Sequence, residues 1–140
     1  MFKKIFKKNQ ENIIDKNVLV AALLIHAAKI DENYTENEKQ IIIKALVNLN
    51  SISLDEAREL LKKAEKKEQE ANQIVEYTKE IKKKPIEFRL KIIEILWKIV
   101  YSDDNNDNYE SNLIRRVCGL LYVSDKDSGI IKLKIENSKK

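Results

Sequence analysis

A short run of acids set between two apolar helical patterns occurs twice in this chain, at a constant offset. The first copy is Asp31-Glu-Asn-Tyr-Thr-Glu-Asn-Glu38; the second, altered, is Asp103-Asp-Asn-Asn-Asp-Asn-Tyr-Glu110, 72 residues later. The offset holds beyond the acids. Downstream, Ile41, Ile42, Ala45, Leu46 and Leu49 map onto Leu113, Ile114, Val117, Cys118 and Leu121. All of these are apolar, at the i, i+1, i+4, i+5, i+8 spacing of one helix face. Upstream, Leu24, Ile25 and Ala28 map onto Leu96, Trp97 and Val100. The pattern reads as an internal repeat: helix, acidic turn, helix, twice.

Composition narrows the class to all-α. Two Gly and one Pro leave few natural breaks, and Lys, Glu, Leu, Ile and Ala dominate. The length predicts one domain, a helical bundle of about six to seven helices over residues 12–140. Residues 1–11 read as a flexible basic arm, with Lys3, Lys4, Lys7 and Lys8 around Phe2, Ile5 and Phe6. A solvated terminus is the favoured reading of the arm, and contact with a membrane surface is the second. The longest apolar run, Val18 to Ala28, is far short of a membrane span and contains His26. No apolar signal-peptide core follows the basic start, so the expected compartment is the cytoplasm. The single cysteine, Cys118, has no internal disulfide partner and sits on an apolar face as a small core residue. His26 reads as a core or edge residue bonded to a neighbour rather than as a metal ligand.

The first helix is expected from about Asn12 to Ile30 and, being apolar nearly all round in its second half, at the centre of the bundle. The second runs from about Glu36 to Leu49, with Asn50 as its stop. Ser53-x-x-Glu56 is a capping box for the third, whose face is Leu54, Ala57, Leu61 and Ala64. Lys66 to Gln69 holds no apolar residue; Ala71, Ile74, Val75, Thr78 and Ile81 then resume the pattern, as one long helix or as two. Pro85 suits the first turn of the next helix. There Glu87, Lys91, Glu94 and Lys98 form a solvated stripe with two Glu-to-Lys i,i+4 pairs, and Phe88, Ile92, Ile95, Leu96 and Ile99 face the other way. Trp97 reads as packing. A further helix spans about Asn108 to Leu121. Ser124-x-x-Asp127 caps a last helix, expected to be short and broken near Gly129.

The acids divide into two kinds. Thr35-x-x-Glu38 and Asp107-x-x-Glu110 are capping boxes, in which each Glu satisfies backbone donors at the positive end of a helix. Asp31 and Asp103 sit at the other end, after an incoming helix, where a carboxylate is disfavoured by roughly 0.3–1 kcal/mol. Close acids repel by about 1 kcal/mol more per pair in water. A bound cation would offset both costs. The turns are not EF-hands: the sixth position, which should be Gly, is Glu36 or Asn108, and the twelfth, which should be Glu, is Ile42 or Ile114.

Ala27-Ala28-Lys-Ile-Asp31, Glu38, Trp97, Tyr101-Ser-Asp103, Glu110 and Leu113-Ile-Arg-Arg116 together resemble the TerB family of tellurite-resistance and related proteins. The likeness spans about Val18 to Val123. It implies an all-helical domain whose acidic residues are proposed to bind divalent cations. Such domains occur in metal and oxyanion stress systems and beside membrane-anchored J-domain co-chaperones. Carried over residue by residue, the implied metal-site residues are Asp31, Glu38, Asp103 and Glu110. Members usually carry Gly after each Asp; Glu32 and Asp104 stand there in this chain. Tellurite resistance itself does not carry over, because tellurite is an anion and an acidic site repels it.

Two functional readings stay open. The first is a non-enzymatic module holding a hard divalent cation, with calcium, magnesium or manganese favoured over zinc or copper by the all-oxygen donor set. The alternative is a protein–protein interaction or co-chaperone-type module with no bound metal. The lysines are scattered and lack interleaved aromatics, which disfavours nucleic acid. No Gly-rich phosphate loop and no pairing of His with a nucleophile points to catalysis.

Overall fold

The structure, a computed structural model, describes residues 17–29, 34–70, 74–102 and 108–138, without the side chains of 108–111. Every extended element among them is a helix: α1 over 17–29, α2 Glu36–Asn50, α3 Leu54–Glu70, α4 Ile74–Ile81, α5 Ile86–Tyr101, α6 Asn108–Leu120 and α7 Asp125–Ser138. The basic arm, and the junction 71–73 between α3 and α4, lie outside the described residues.

Two helices are central. On α1, Ala21, Ala22, Leu23, Leu24 and Ile25 are all 0% exposed. Five consecutive buried residues cover every side of a helix, so α1 is enclosed by the bundle. On α5, Ile92, Ile93, Ile95, Leu96, Trp97, Ile99, Val100 and Tyr101 are buried, and α5 packs against α2, α6 and α7. These are the helices that precede the two acidic stretches. The helices that follow, α2 and α6, start 72 residues apart at Glu36 and Asn108. Of their aligned faces, Ile42, Ala45 and Leu46 on α2 are buried, as are Ile114, Val117 and Cys118 on α6.

Local signals place the helix ends. Thr35 caps α2, which stops at Asn50 with Ser51 in the left-handed region at φ 51°. At α3 the Glu56 amide donates to the Ser53 hydroxyl at 3.1 Å, and that hydroxyl donates to the Glu56 carboxylate. The Asp127 amide donates to the Ser124 hydroxyl at 3.1 Å at the start of α7.

Three expectations are corrected. Pro85 does not lie in the first turn of α5 but one residue before it, at φ −54° and ψ 154°, and its carbonyl accepts from the Phe88 and Arg89 amides. Of the two Glu-to-Lys pairs on α5, only Glu94–Lys98 forms, at 3.6 Å. Glu87 and Lys91 are both exposed and solvated separately. The last helix is not broken at Gly129: α7 runs through it for 14 residues. The reason is tertiary. Ser128 and Ile135 are buried, the Trp97 indole N–H donates to the Ser128 hydroxyl at 3.1 Å, and the Tyr101 hydroxyl donates to Glu136. Packing along α5 outweighs the roughly 1 kcal/mol that an interior Gly costs.

Candidate functional site

Glu38 begins the site. Its Oε1 accepts from both the amide and the hydroxyl of Thr35, each at 3.0 Å, while its own amide donates to the Thr35 hydroxyl at 3.2 Å. The capping box expected from Thr35-x-x-Glu38 is therefore formed. Burial goes further than a cap requires: Glu38 is only 1% exposed. The other proposed ligands are not placed beside it. Asp31 and Asp103 lie outside the described residues, as does Asp107, and of Glu110 only the backbone, in α6, is described. Among the described residues, no group of three or more His, Cys, Asp or Glu is arranged to hold a metal.

Next to Glu38 lies Tyr34. Burial raises the pKa of its phenol, and Glu65, Glu36, Glu38 and Glu68 push it up further. Four carboxylates from α2 and α3 thus act on one point. The Tyr34 oxygen is buried and has no hydrogen-bond partner among the described residues. Lysines sit over the ring instead, Lys39 Nζ at 4.9 Å and Lys29 Nζ at 6.0 Å from its centroid. Ring faces attract cations, so these lysines offset part of the local negative charge.

Glu68 anchors the far side. It is 6% exposed, accepts from Lys29 Nζ at 2.9 Å, and lies 3.4 Å from His26 Nδ1. His26 is bonded to a neighbour at the edge of the core, as expected, and its ring tilts against Tyr77 at 6.2 Å. The Tyr77 phenol is pushed up by burial and by Glu68, and its oxygen is buried without a hydrogen-bond partner among the described residues.

Glu68 escaped the sequence reading because Lys66 to Gln69 looked wholly polar. A signal was present. Ala57, Leu61, Ala64 and Glu68 follow at i, i+4, i+7 and i+11, and all four are buried. Glu68 is a carboxylate at the next core position of the α3 stripe. Cys118 is buried, and desolvation raises its thiol pKa, which suits a packing role. No helix of the described residues is long and apolar enough to cross a membrane.

No curated protein and no solved structure matches the chain. The sequence model of the family described as tellurite resistance protein TerB does match, over residues 17–133. That stretch contains both acidic turns, both central helices and the Glu68 network, and the chain belongs to the TerB tellurite resistance family.

Proposed function

We propose that this chain is a non-enzymatic helical module that binds a hard divalent cation, in a metal- or oxyanion-stress context like that of its family. Asp31, Glu38, Asp103 and Glu110 are the proposed ligands, and calcium, magnesium or manganese the proposed ions. The observation that carries this reading is Glu38, a capping-box carboxylate at the end of the first acidic stretch that is only 1% exposed, a burial that a helix cap does not require. Glu36, Glu65 and Glu68 act with it on the neighbouring Tyr34 phenol. Lys39 and Lys29 pair with Glu36 and Glu68 and offset part of this negative charge, and the remainder favours a cation. The donor set is all oxygen, which suits hard cations. Such an ion would neutralise the clustered acids and tie the turn to the helix after it. Glu38 would then serve as both cap and ligand.

The test is a thermal melt with calcium, magnesium, manganese or chelator. A ligand at one hundred times its dissociation constant stabilises by about 2.7 kcal/mol. For a chain of this size that is a rise of several degrees. If no divalent ion at millimolar concentration moves the melt, the cation site is abandoned for the interaction-module reading.

A further inference from the structure

The cleft between α2 and α5 plays no part in the acidic-turn reading. It is a half-open groove of about 400 Å³. Its floor is apolar, built from Ile41, Ala45 and Leu49 on α2 and Ile95 on α5. Ala45 and Ile95 are buried, while Ile41 and Leu49 keep part of their surface in solvent. At 1.5 Å per residue, Ile41 to Leu49 spans about 12 Å, roughly two helical turns. Lys44, Lys91 and Lys98 line the groove with a single acid, Glu94. Glu94 is taken by Lys98 at 3.6 Å, and Lys44 and Lys91 make no ion pair among the described residues.

We propose that this groove docks an acidic amphipathic helix of a partner protein. The partner's apolar stripe lies on the Ile41–Ala45–Leu49 floor, and its Asp or Glu residues meet Lys44 and Lys91. Anchors at i, i+4 and i+7 fit a floor two turns long. Charge complementarity selects this occupant. The chain's own arm, with Lys3, Lys4, Lys7 and Lys8, would be repelled. A nucleic acid brings phosphates but no apolar stripe, and a flat bilayer does not reach the floor of a groove. A fatty acid fills the floor yet offers one charge to two lysines.

The experiment uses the full chain in chelator, so that metal binding does not enter. Two labelled synthetic helical peptides share one Leu stripe, flanked by Glu in one and by Lys in the other, and binding is read by fluorescence anisotropy. The acidic peptide should bind saturably, about tenfold or more tightly than the basic one, since like charges oppose docking. The double variant Lys44→Glu, Lys91→Glu should reverse that preference. Both residues are exposed, and circular dichroism checks that the fold is kept. Leu49→Gln should weaken whichever peptide is preferred. Absence of saturable binding at millimolar peptide, equal binding of the two peptides, or an unchanged preference in the double variant would each overturn the proposal. So would dodecanoate binding that depends on Lys44 and Lys91 while the acidic peptide fails to bind, which would give the groove to a lipid carboxylate.

Discussion

Lys29 on α1 donates to the buried Glu68 carboxylate on α3 at 2.9 Å, across 39 residues of sequence. This bond and the His26 contact to the same carboxylate join the central helix to α3 beside the first acidic stretch. Lys29→Met removes the strongest partner of a buried charge. Breaking a fully buried pair costs about 3–5 kcal/mol, but the Lys29 side chain is 34% exposed, and water replaces part of the loss. A destabilisation of roughly 1–3 kcal/mol in urea unfolding is expected. Adding Glu68→Leu should recover much of it, because the buried charge is gone. A double variant less stable than Lys29→Met alone would show that Glu68 does more than answer Lys29.

Tyr77→Phe should leave stability unchanged or raise it by up to about 1 kcal/mol. The hydroxyl it removes is buried without a hydrogen-bond partner among the described residues, and the ring that packs against His26 is kept. Urea unfolding decides. A loss above about 1 kcal/mol would mean the hydroxyl is satisfied in solution.

Alkali should weaken the fold partly through Tyr101. Burial, together with the hydrogen bond to Glu136, pushes its phenol up to about 12. An unfolded tyrosine loses its proton near pH 10. Between about pH 10 and 12 the folded state therefore binds the extra proton, so this contribution is complete below about pH 10 and disappears as pH rises through 12. Tyr101→Phe loses the Glu136 bond at neutral pH, so it starts less stable. The gap between wild type and variant should narrow from about pH 10 upward. Urea midpoints across that range are the measurement, and a constant gap would count against a firmly held proton.

Gly129→Ala should stabilise α7. Gly129 lies inside the helix, has no positive φ, and an added Cβ would meet nothing within 4 Å. Relative to Ala, an interior Gly costs roughly 0.5–1 kcal/mol. The melting point should rise by a few degrees. A fall would indicate that the chain bends at Gly129, as the sequence first suggested.

Glu38→Gln separates cap from ligand. Gln keeps an acceptor for the Thr35 amide and hydroxyl, so the cap survives and the melting point in chelator should change little. A bound hard cation would lose a charged ligand. The wild type should melt several degrees higher with a divalent ion than with chelator, and Glu38→Gln should lose most of that difference. Glu110→Gln should behave alike. Equal ion-induced shifts in wild type and both variants would remove these two residues from the site.

Helix class, the central place of α1 and the caps at Thr35, Ser53 and Ser124 were legible in the sequence, because each is set within one or two turns of chain. Apolar periodicity names the buried face, and a hydroxyl three residues before an acid names a helix start. Glu68 was hidden for the opposite reason. A carboxylate on a core stripe is tolerated only if polar partners reach it, and the Lys29 ammonium and the His26 ring come from a helix some forty residues earlier. Neither residue announces that partner locally. The same holds for α7, where Gly129 argued for a break and only the burial of Ser128 and Ile135 decided for a continuous helix. Local hydrogen bonding and periodicity are written in neighbouring residues, whereas the neutralisation of a buried charge and the stability of a weak helix depend on which distant surface is packed against them.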